Sequence, residues 1–574
     1  MKSAYKSASA FLCLFCFSAL FVSDLLFAQQ IPPGSTPGSE ARQILEEQKR
    51  REPRKQPKQP EVTIEEEEGE LVPKGFPFFA QKINIVGNKS VSTREINKII
   101  EAYVGKEITL PELKNCAKQI TRLYQSKGYL TSRAFIPPQE IVEGTVSIEI
   151  LEAKLGEVKV ENNKRIPAKW IIRRVQLKPG SVFQVKTLEK DLIRMNKNPD
   201  VEIRAVLVRG KEPGTTDVIL TVKEKFPLHA SYTFDNQGTK FSGTLRHNIE
   251  FTGNGLLNLN DKLSYRQILT EAGQFVGEVA DYITPINERG TSAEMTFSEV
   301  DTELGHGLGP LHITGRATVF SPSFIQTLHE SEKWEANFVG GFDFKTIKTK
   351  IAGNENSDDS LRELRFGPNF TEWDKWGRSV IVTNVEIGFS DFLGASKKVN
   401  PGASRPGAGG QFQYYQITFA RVQNLPYSLV GFLRGNVQLS SDNLVTAEQF
   451  RIGGMNTVRG YPEGDYLGDY GFNFTGELRI PPYLFPKEIK LPFNQKIIPR
   501  ESIQFVIFCD VAKAYLNSPI PQQQSNKLLL GVGPGVLIDI FRHVTARVFM
   551  GIPVGEHTSE ENNPRLHFVL TATW

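Results

Sequence analysis

From residue 226 to Trp574, apolar side chains recur at every second position in one segment after another, and helical periodicity is absent. Such alternation builds strands with one apolar and one polar face. In residues 427–440, Leu429, Gly431, Leu433, Gly435, Val437 and Leu439 take one face. Ser428, Arg434, Asn436, Gln438 and Ser440 take the other, with Val430 and Phe432 among them. Residues 471–480 set Phe472, Phe474 and Leu478 against Asn473, Thr475, Glu477 and Arg479. Residues 565–574 set Leu566, Phe568, Leu570, Ala572 and Trp574 against Arg565, His567, Thr571 and Thr573. A soluble sandwich also alternates, with its apolar face toward a dry core. Mid-strand charges such as Arg434, Glu477 and Arg479 suit a wet lumen instead, which predicts a membrane barrel with lipid outside. At roughly 22 residues per strand and connection, the region holds about 16 strands, enough to enclose water and a plug. The polar stretches 352–360 and 394–410 are the expected outer loops.

The amino-terminal region fits export. Residues 1–28 read as a secretory signal: Lys2 and Lys6, an apolar run over 11–22, then Leu26-Phe27-Ala28. An apolar run of about 12 residues is too short to span the bilayer as a helix. Cys13 and Cys16 fall within this segment, which leaves Cys116 and Cys509. Two distant cysteines make neither a disulfide scaffold nor a zinc site. Residues 29–75 form a linker broken by Pro32, Pro33, Pro37, Pro53, Pro57 and Pro60, with an acidic run at 65–68. Within it, residues 39–52 predict a short helix with Ser39 as cap and Arg50 and Arg51 near its end. Its only apolar residues are Ala41, Ile44 and Leu45, so the helix is marginal alone unless it docks in something wet and polar.

Two compact units lie between. In residues 76–153, a strand over 82–86 is followed by helices over 92–103 and 110–127 and strands over 132–136 and 146–151. Ile96, Ile99, Ile100 and Tyr103 share one helix face, and Leu113, Ala117, Ile120 and Tyr124 share the next. Residues 154–225 repeat the order β-α-α-β-β. The expected strands are 156–161, 201–208 and 217–223, and the expected helices 168–175 and 185–196. Sheets of this kind leave an edge strand free to pair with an incoming extended peptide.

One motif narrows the reading. Residues 451–461 read RIGGMNTVRGY, and the run continues PEGDYLGDYGFNFTGELRIP. Val458-Arg459-Gly460-Tyr461 resembles the signature of two-partner secretion transporters of the ShlB/FhaC/HecB type, relatives of the barrel-assembly insertases. The order of signal, short helix, Pro-rich linker, two compact units, alternating region and terminal aromatic also resembles that family. The resemblance covers essentially the whole mature chain. It implies two α+β POTRA domains (76–153 and 154–225) followed by a 16-stranded transmembrane antiparallel β-barrel (226–574). It further implies that the sixth extracellular loop folds into the lumen with Val458, Arg459, Gly460 and Tyr461 at its tip. In the family an acidic residue in an F-x-D-x-G strand holds the loop arginine, and here Phe508-Cys509-Asp510-Val511-Ala512 offers that pattern. Alternation sets Gln504, Val506, Phe508 and Asp510 on one face and Ile503, Phe505, Ile507 and Cys509 on the other. Asp510 can therefore face the lumen and pair with Arg459. Ala512 stands where the family has glycine. Trp574 stands where phenylalanine is more usual, as the terminal barrel signal read by the outer-membrane assembly machinery.

No HExxH, Walker A or GxSxG sequence occurs, and Gly531-Val532-Gly533-Pro534-Gly535 lies among strands without a following helix. The balance of 68 basic and 64 acidic residues does not announce a nucleic-acid partner. The expectation is a non-enzymatic pore without cofactor or metal. It sits in the outer membrane with its POTRA domains in the periplasm, and its partners are a secreted exoprotein, membrane lipid and, during biogenesis, the barrel assembly machinery. Such a pore recognises an adhesin- or haemolysin-type exoprotein and moves it to the cell surface in two-partner (type V) secretion; the resemblance supports a resting place for the 39–52 helix inside the barrel, which its composition only permits. An outer-membrane insertase of the same superfamily is the alternative. A passive porin would need neither POTRA units nor the loop motif.

Overall fold

The computed structural model describes residues 32–51, 62–64, 76–257, 260–486, 488–490, 496–521, 523–540, 543–560 and 563–574. The expected signal, 1–28, lies outside the described residues, as do the linker's proline-rich and acidic stretches. Among its described residues the linker contributes a 3-10 turn (Pro33–Ser35), helix α1 (Pro37–Arg51) and strand β1 (Val62–Ile64). Helix α1 starts two residues before the expected position. Thr36 Oγ1 accepts the Ser39 N–H at 3.3 Å, so Thr36 supplies the first-turn acceptor that sequence reading assigned to Ser39.

The first unit comprises β2 (Phe78–Ala80), β3 (Lys82–Val86), α2 (Thr93–Ile100), β4 (Lys106–Ile108), α3 (Leu110–Ser126), β5 (Arg133–Phe135) and β6 (Thr145–Leu151). A capping box starts α3: the Glu112 carboxylate accepts the Thr109 N–H at 2.6 Å. Strand β6 is central, parallel to β3 and antiparallel to β5. Ile96, Leu113, Ile120, Tyr124 and Ile148 form its core. The short pair β2–β4 is an addition that the sequence did not signal.

The second unit comprises β7 (Lys154–Glu161), α4 (Ala168–Ile172), α5 (Val185–Met195), β8 (Val201–Arg209) and β9 (Thr215–Glu224). Its three strands run in the order β7-β9-β8, and β1 adds to the outer edge of β8. That pairing is parallel, with Val62 opposite Ala205 and Ile64 opposite Leu207. The chain's own linker thus covers part of the β8 edge, and β7 forms the opposite edge of the sheet. At the barrel rim, Glu330 accepts from Arg194 (3.1 Å) and Lys197 (2.6 Å), and Asp200 bonds His229 (2.8 Å).

Sixteen antiparallel strands then close into a barrel, from β10 (Leu228–Asp235) to the last strand, Arg565–Thr573. The seam pairs Ser231 with Thr573, and the Trp574 N–H donates to the Ala230 carbonyl at 2.9 Å. Leu433, Phe474, Ile507 and Leu570 point outward, whereas Gln438, Asn473, Thr475 and His567 are buried on the inside. A closed cylinder with polar groups inside excludes the two-layered sandwich. One expected outer loop is absent. Residues 354–360 belong to the strand Asn354–Asp374, which reaches a tight turn at Ala352-Gly353. Its polar composition suggested a loop, but here polar side chains stabilise each other across the ladder, as Lys348 does with Asp358 at 2.8 Å. The 394–410 stretch does connect two strands, and part of it folds inward: Ala408 is buried with Ala41 and Ile44 of α1.

Candidate functional site

Helix α1 lies in the lumen, held mainly by polar groups. Its Glu40 accepts the Ser242 hydroxyl at 2.5 Å, and its Glu47 accepts Arg246 at 3.2 Å. Arg266, 1 % exposed, donates to the Ile44 carbonyl at 2.8 Å. On the other side Arg42 donates to Gln438 Oε1 (2.8 Å) and the Gln449 carbonyl (3.1 Å). Glu40 and Glu47 are seven residues apart and share a helix face, while Arg42 points elsewhere. Each face thus meets wall groups of matching hydrogen-bonding type, donors opposite the carboxylates and acceptors opposite Arg42. Ala41 and Ile44 provide the apolar contact, against Ile268, Phe275, Val279 and Leu444.

Beside the helix, the connection between the strands Val430–Leu439 and Tyr470–Ile480 also enters the barrel. It forms a short hairpin, Phe450–Ile452 with Tyr466–Gly468, whose tip returns to the wall. All four tip residues are buried. Arg459 Nε and Nη2 donate to the two oxygens of Asp510 at 2.7 and 2.8 Å, and the Arg459 N–H reaches the same carboxylate at 3.0 Å. The fork geometry suits guanidinium and not ammonium. Nη1 donates to Glu477 at 2.7 Å. The guanidinium lies 3.6 Å from the Phe508 ring centroid and 4.6 Å from that of Phe549. The Gly460 N–H donates to His567 Nε2 at 3.0 Å. Tyr461 donates its hydroxyl proton to the Glu556 carbonyl at 3.0 Å and accepts the Gly555 N–H at 3.1 Å. Val458, Tyr461 and Ala512 pack in one apolar cluster, so the alanine methyl adds to the contact that seats the loop.

The structure thus brings Arg459, Asp510 and Phe508 together and places Trp574 at the seam, away from them. Sequence reasoning did not find Glu477, His567, Gly531 or Gly551. Glu477 was visible as a mid-strand charge. Its nearness to Asp510 depends on the register that sets Thr475 opposite Asp510, which alternation alone does not fix. The two glycines have a steric role. A Cβ on Gly531 would lie 2.0 Å from the Arg459 carbonyl oxygen, and one on Gly551 would lie 2.1 Å from the Gly460 nitrogen. Gly531 belongs to the glycine-rich run that the sequence left without a role.

Among the described residues, one acidic group, Asp343, Glu363 and Glu386, brings carboxylate oxygens within 4.8 Å of one another. Lys345 sits 2.8 Å from Glu363 and Arg365 sits 3.3 Å from Asp343, so resident cations already balance it.

Residues 78–153 match the family model "POTRA domain, ShlB-type", and residues 214–536 match "Haemolysin secretion/activation protein ShlB/FhaC/HecB". The heme/hemopexin transporter protein HuxB of Haemophilus influenzae is 24 % identical over 475 residues, covering 80 % of each chain. The outer membrane transporter CdiB of Dickeya dadantii is 22 % identical over 429 residues, 71 % of this chain and 73 % of that one. In three dimensions CdiB from Escherichia coli superposes with a TM-score of 0.71 at 19 % identity, over 95 % of this chain and 100 % of that one. BamA from Haemophilus ducreyi lacking POTRA domains 1–3 gives 0.53 at 13 % identity, over 87 % and 100 %. With a ShlB-type POTRA domain, a closed sixteen-stranded barrel and a family match running from the second unit deep into that barrel, the chain belongs to the ShlB/FhaC/HecB haemolysin secretion/activation family of outer-membrane transporters.

Proposed function

We propose that this transporter carries a large exoprotein of adhesin or haemolysin type from the periplasm to the cell surface, as the outer-membrane half of a two-partner secretion system. The observation that carries the reading is the filled lumen: a polar helix and a motif-bearing loop occupy a barrel whose wall is matched to both. A conduit for unfolded chain needs a stopper at rest, and a passive porin does not. On this reading residues 154–225 act as a second POTRA domain, and α1 is the resting plug. The Arg459–Asp510 pair keeps loop and wall in register, and the exterior band contacts outer-membrane lipid. The barrel assembly machinery inserts the protein, with Trp574 in its terminal signal. The work comes from binding and from folding of the cargo outside, without catalysis or cofactor.

Strand β1 refines the entry step. A cargo segment that adds to β8 must first displace Val62–Ile64, so docking and release of the linker are one exchange. HuxB is named for heme/hemopexin transport, which makes a haem-scavenging exoprotein one candidate cargo among several. The test is a deletion strain. Loss of this protein should abolish surface delivery of one exoprotein and leave the other outer-membrane proteins at normal abundance. Broad loss of outer-membrane proteins would instead support an assembly insertase.

A further inference from the structure

The tripeptide Gly-Asp-Tyr occurs twice in succession, at 464–466 and 468–470, with Leu467 between. The two aspartates serve as junctions between different outer loops. Asp465 accepts Lys527 Nζ at 2.7 Å, and the N–H and hydroxyl of Ser559 at 2.7 and 2.6 Å. Lys527 is on the strand Asn526–Ile540, and Ser559 lies in the connection before the last strand. Asp469 is fully buried. It accepts the Arg405 guanidinium from the 389–411 connection, the Leu444 N–H at 2.9 Å and the Asn517 N–H at 2.7 Å. Asn517 in turn donates its side-chain amide to the Asp442 carbonyl at 2.7 Å. The segments so gathered carry Ala403, Ala408, Leu444, Val445 and Ala447, which lie over Ala41 and Ile44 of α1.

We propose that Asp465 and Asp469 latch the outer loops into a lid over the barrel mouth, a second barrier distinct from both the plug and the Arg459 dock. Asp469 is the main fastening. The apolar seat of the lid is shared with α1 and is lost when α1 leaves. The ties at Asp465 and Asp469 do not involve α1 and persist when it leaves, although Arg42 of α1 also donates to the Gln449 carbonyl. Withdrawal of the plug alone therefore leaves the mouth narrowed, and emerging chain has to lift the 403–408 and 442–449 segments. The proposal rests on the barrel being the conduit. Its test reads the lid without cargo, so it can fail while the secretion reading stands.

The experiment is hydrogen exchange on the full chain in detergent micelles, comparing wild type with Asp469→Asn, alongside single-channel recording of both. The substituted amide keeps the shape and one acceptor oxygen but loses the charge that holds Arg405. Exchange in 403–408 and 442–449 should accelerate at least tenfold while 456–461 stays as protected as in wild type, and open time should rise several-fold. The swap Arg405→Asp with Asp469→Arg should recover part of the protection. Unchanged exchange in the lid segments overturns the proposal. Equal acceleration at 456–461 also overturns it, since lid and dock would then be one unit. If Asp469→Asn fails to give the heat-modifiable folded barrel, Arg405→Gln, which leaves the backbone bonds to Asp469 in place, is read by the same two criteria.

Discussion

Replacing Arg459 with alanine tests the loop dock most directly. Four hydrogen bonds, all within 3.0 Å, link this residue to Asp510 and Glu477; three come from the side chain and one from the backbone. The substitution removes the three side-chain bonds and leaves Asp510, 1 % exposed, as a carboxylate without its countercharge. Breaking a buried ion pair from one side costs about 3–5 kcal/mol. Two rings also lose their cation, which adds about 1 kcal/mol. Arg479 remains beside Glu477 at 2.9 Å and absorbs part of the loss there, so the lower end of the range is expected. Taking about 3 kcal/mol, the docked state weakens roughly 150-fold. Hydrogen exchange across residues 453–461 reads this directly: opening should become about two orders of magnitude more frequent while the barrel ladders keep their protection. Export of the partner exoprotein should fall in parallel at unchanged membrane abundance. Arg459→Lys should recover only part of the protection, because an ammonium cannot make the fork. Exchange in Arg459→Ala within threefold of wild type would refute the reasoning, even if export failed.

Gly531→Val should abolish docking and export at normal barrel abundance, because its side chain would occupy the space of the Arg459 carbonyl; Gly307→Ala, whose new Cβ meets nothing within 4 Å, serves as the silent control. Ile44→Asp places a charge among Ile268, Phe275 and Val279 and should expel α1, seen as a steady rise in conductance in planar bilayers. Deleting Val62–Ile64 frees the β8 edge that β1 covers and should tighten binding of the exoprotein's secretion segment several-fold. In the second unit, burial pushes Asp191 up to about 6. The folded unit therefore keeps this proton between about pH 4 and 6, where the unfolded chain has lost it, and stability falls as pH rises through that window. Asp191→Asn should stabilise this unit against urea at pH 7.5, by up to about 3 kcal/mol, with little change at pH 4, followed by Trp170 fluorescence.

Period-two alternation carried the barrel a long way, because lipid outside and water inside impose opposite demands on neighbouring residues. It assigned Phe508 and Asp510 to the lumen and Ile507 to the exterior, and both faces lie where alternation put them. It failed at 352–360, where the strand outlasts the alternating stretch and both faces are polar. The first-turn acceptor of α1 was missed because Thr36 precedes Pro37, which reads as a break in a linker but suits the first turn of a helix. Glu477 and His567 escaped for another reason. Their contact with the loop tip depends on which strands lie side by side and in what register, and no local pattern records that. The occupation of β8 by Val62–Ile64 was equally out of reach, since three residues in a proline-rich linker carry almost no strand signal.

The way α1 is seated has a consequence for reversibility. Most of the groups that fix it are ones that solvent can replace, and Ala41 and Ile44 are its members of the apolar cluster. Rehydrating those two side chains costs about 2–3 kcal/mol. On the proposed reading of α1 as the resting plug, a helix with so little apolar surface would leave and re-enter the lumen at low cost. The same seat would then serve one round of transport after another, with an empty channel as the condition for refilling it.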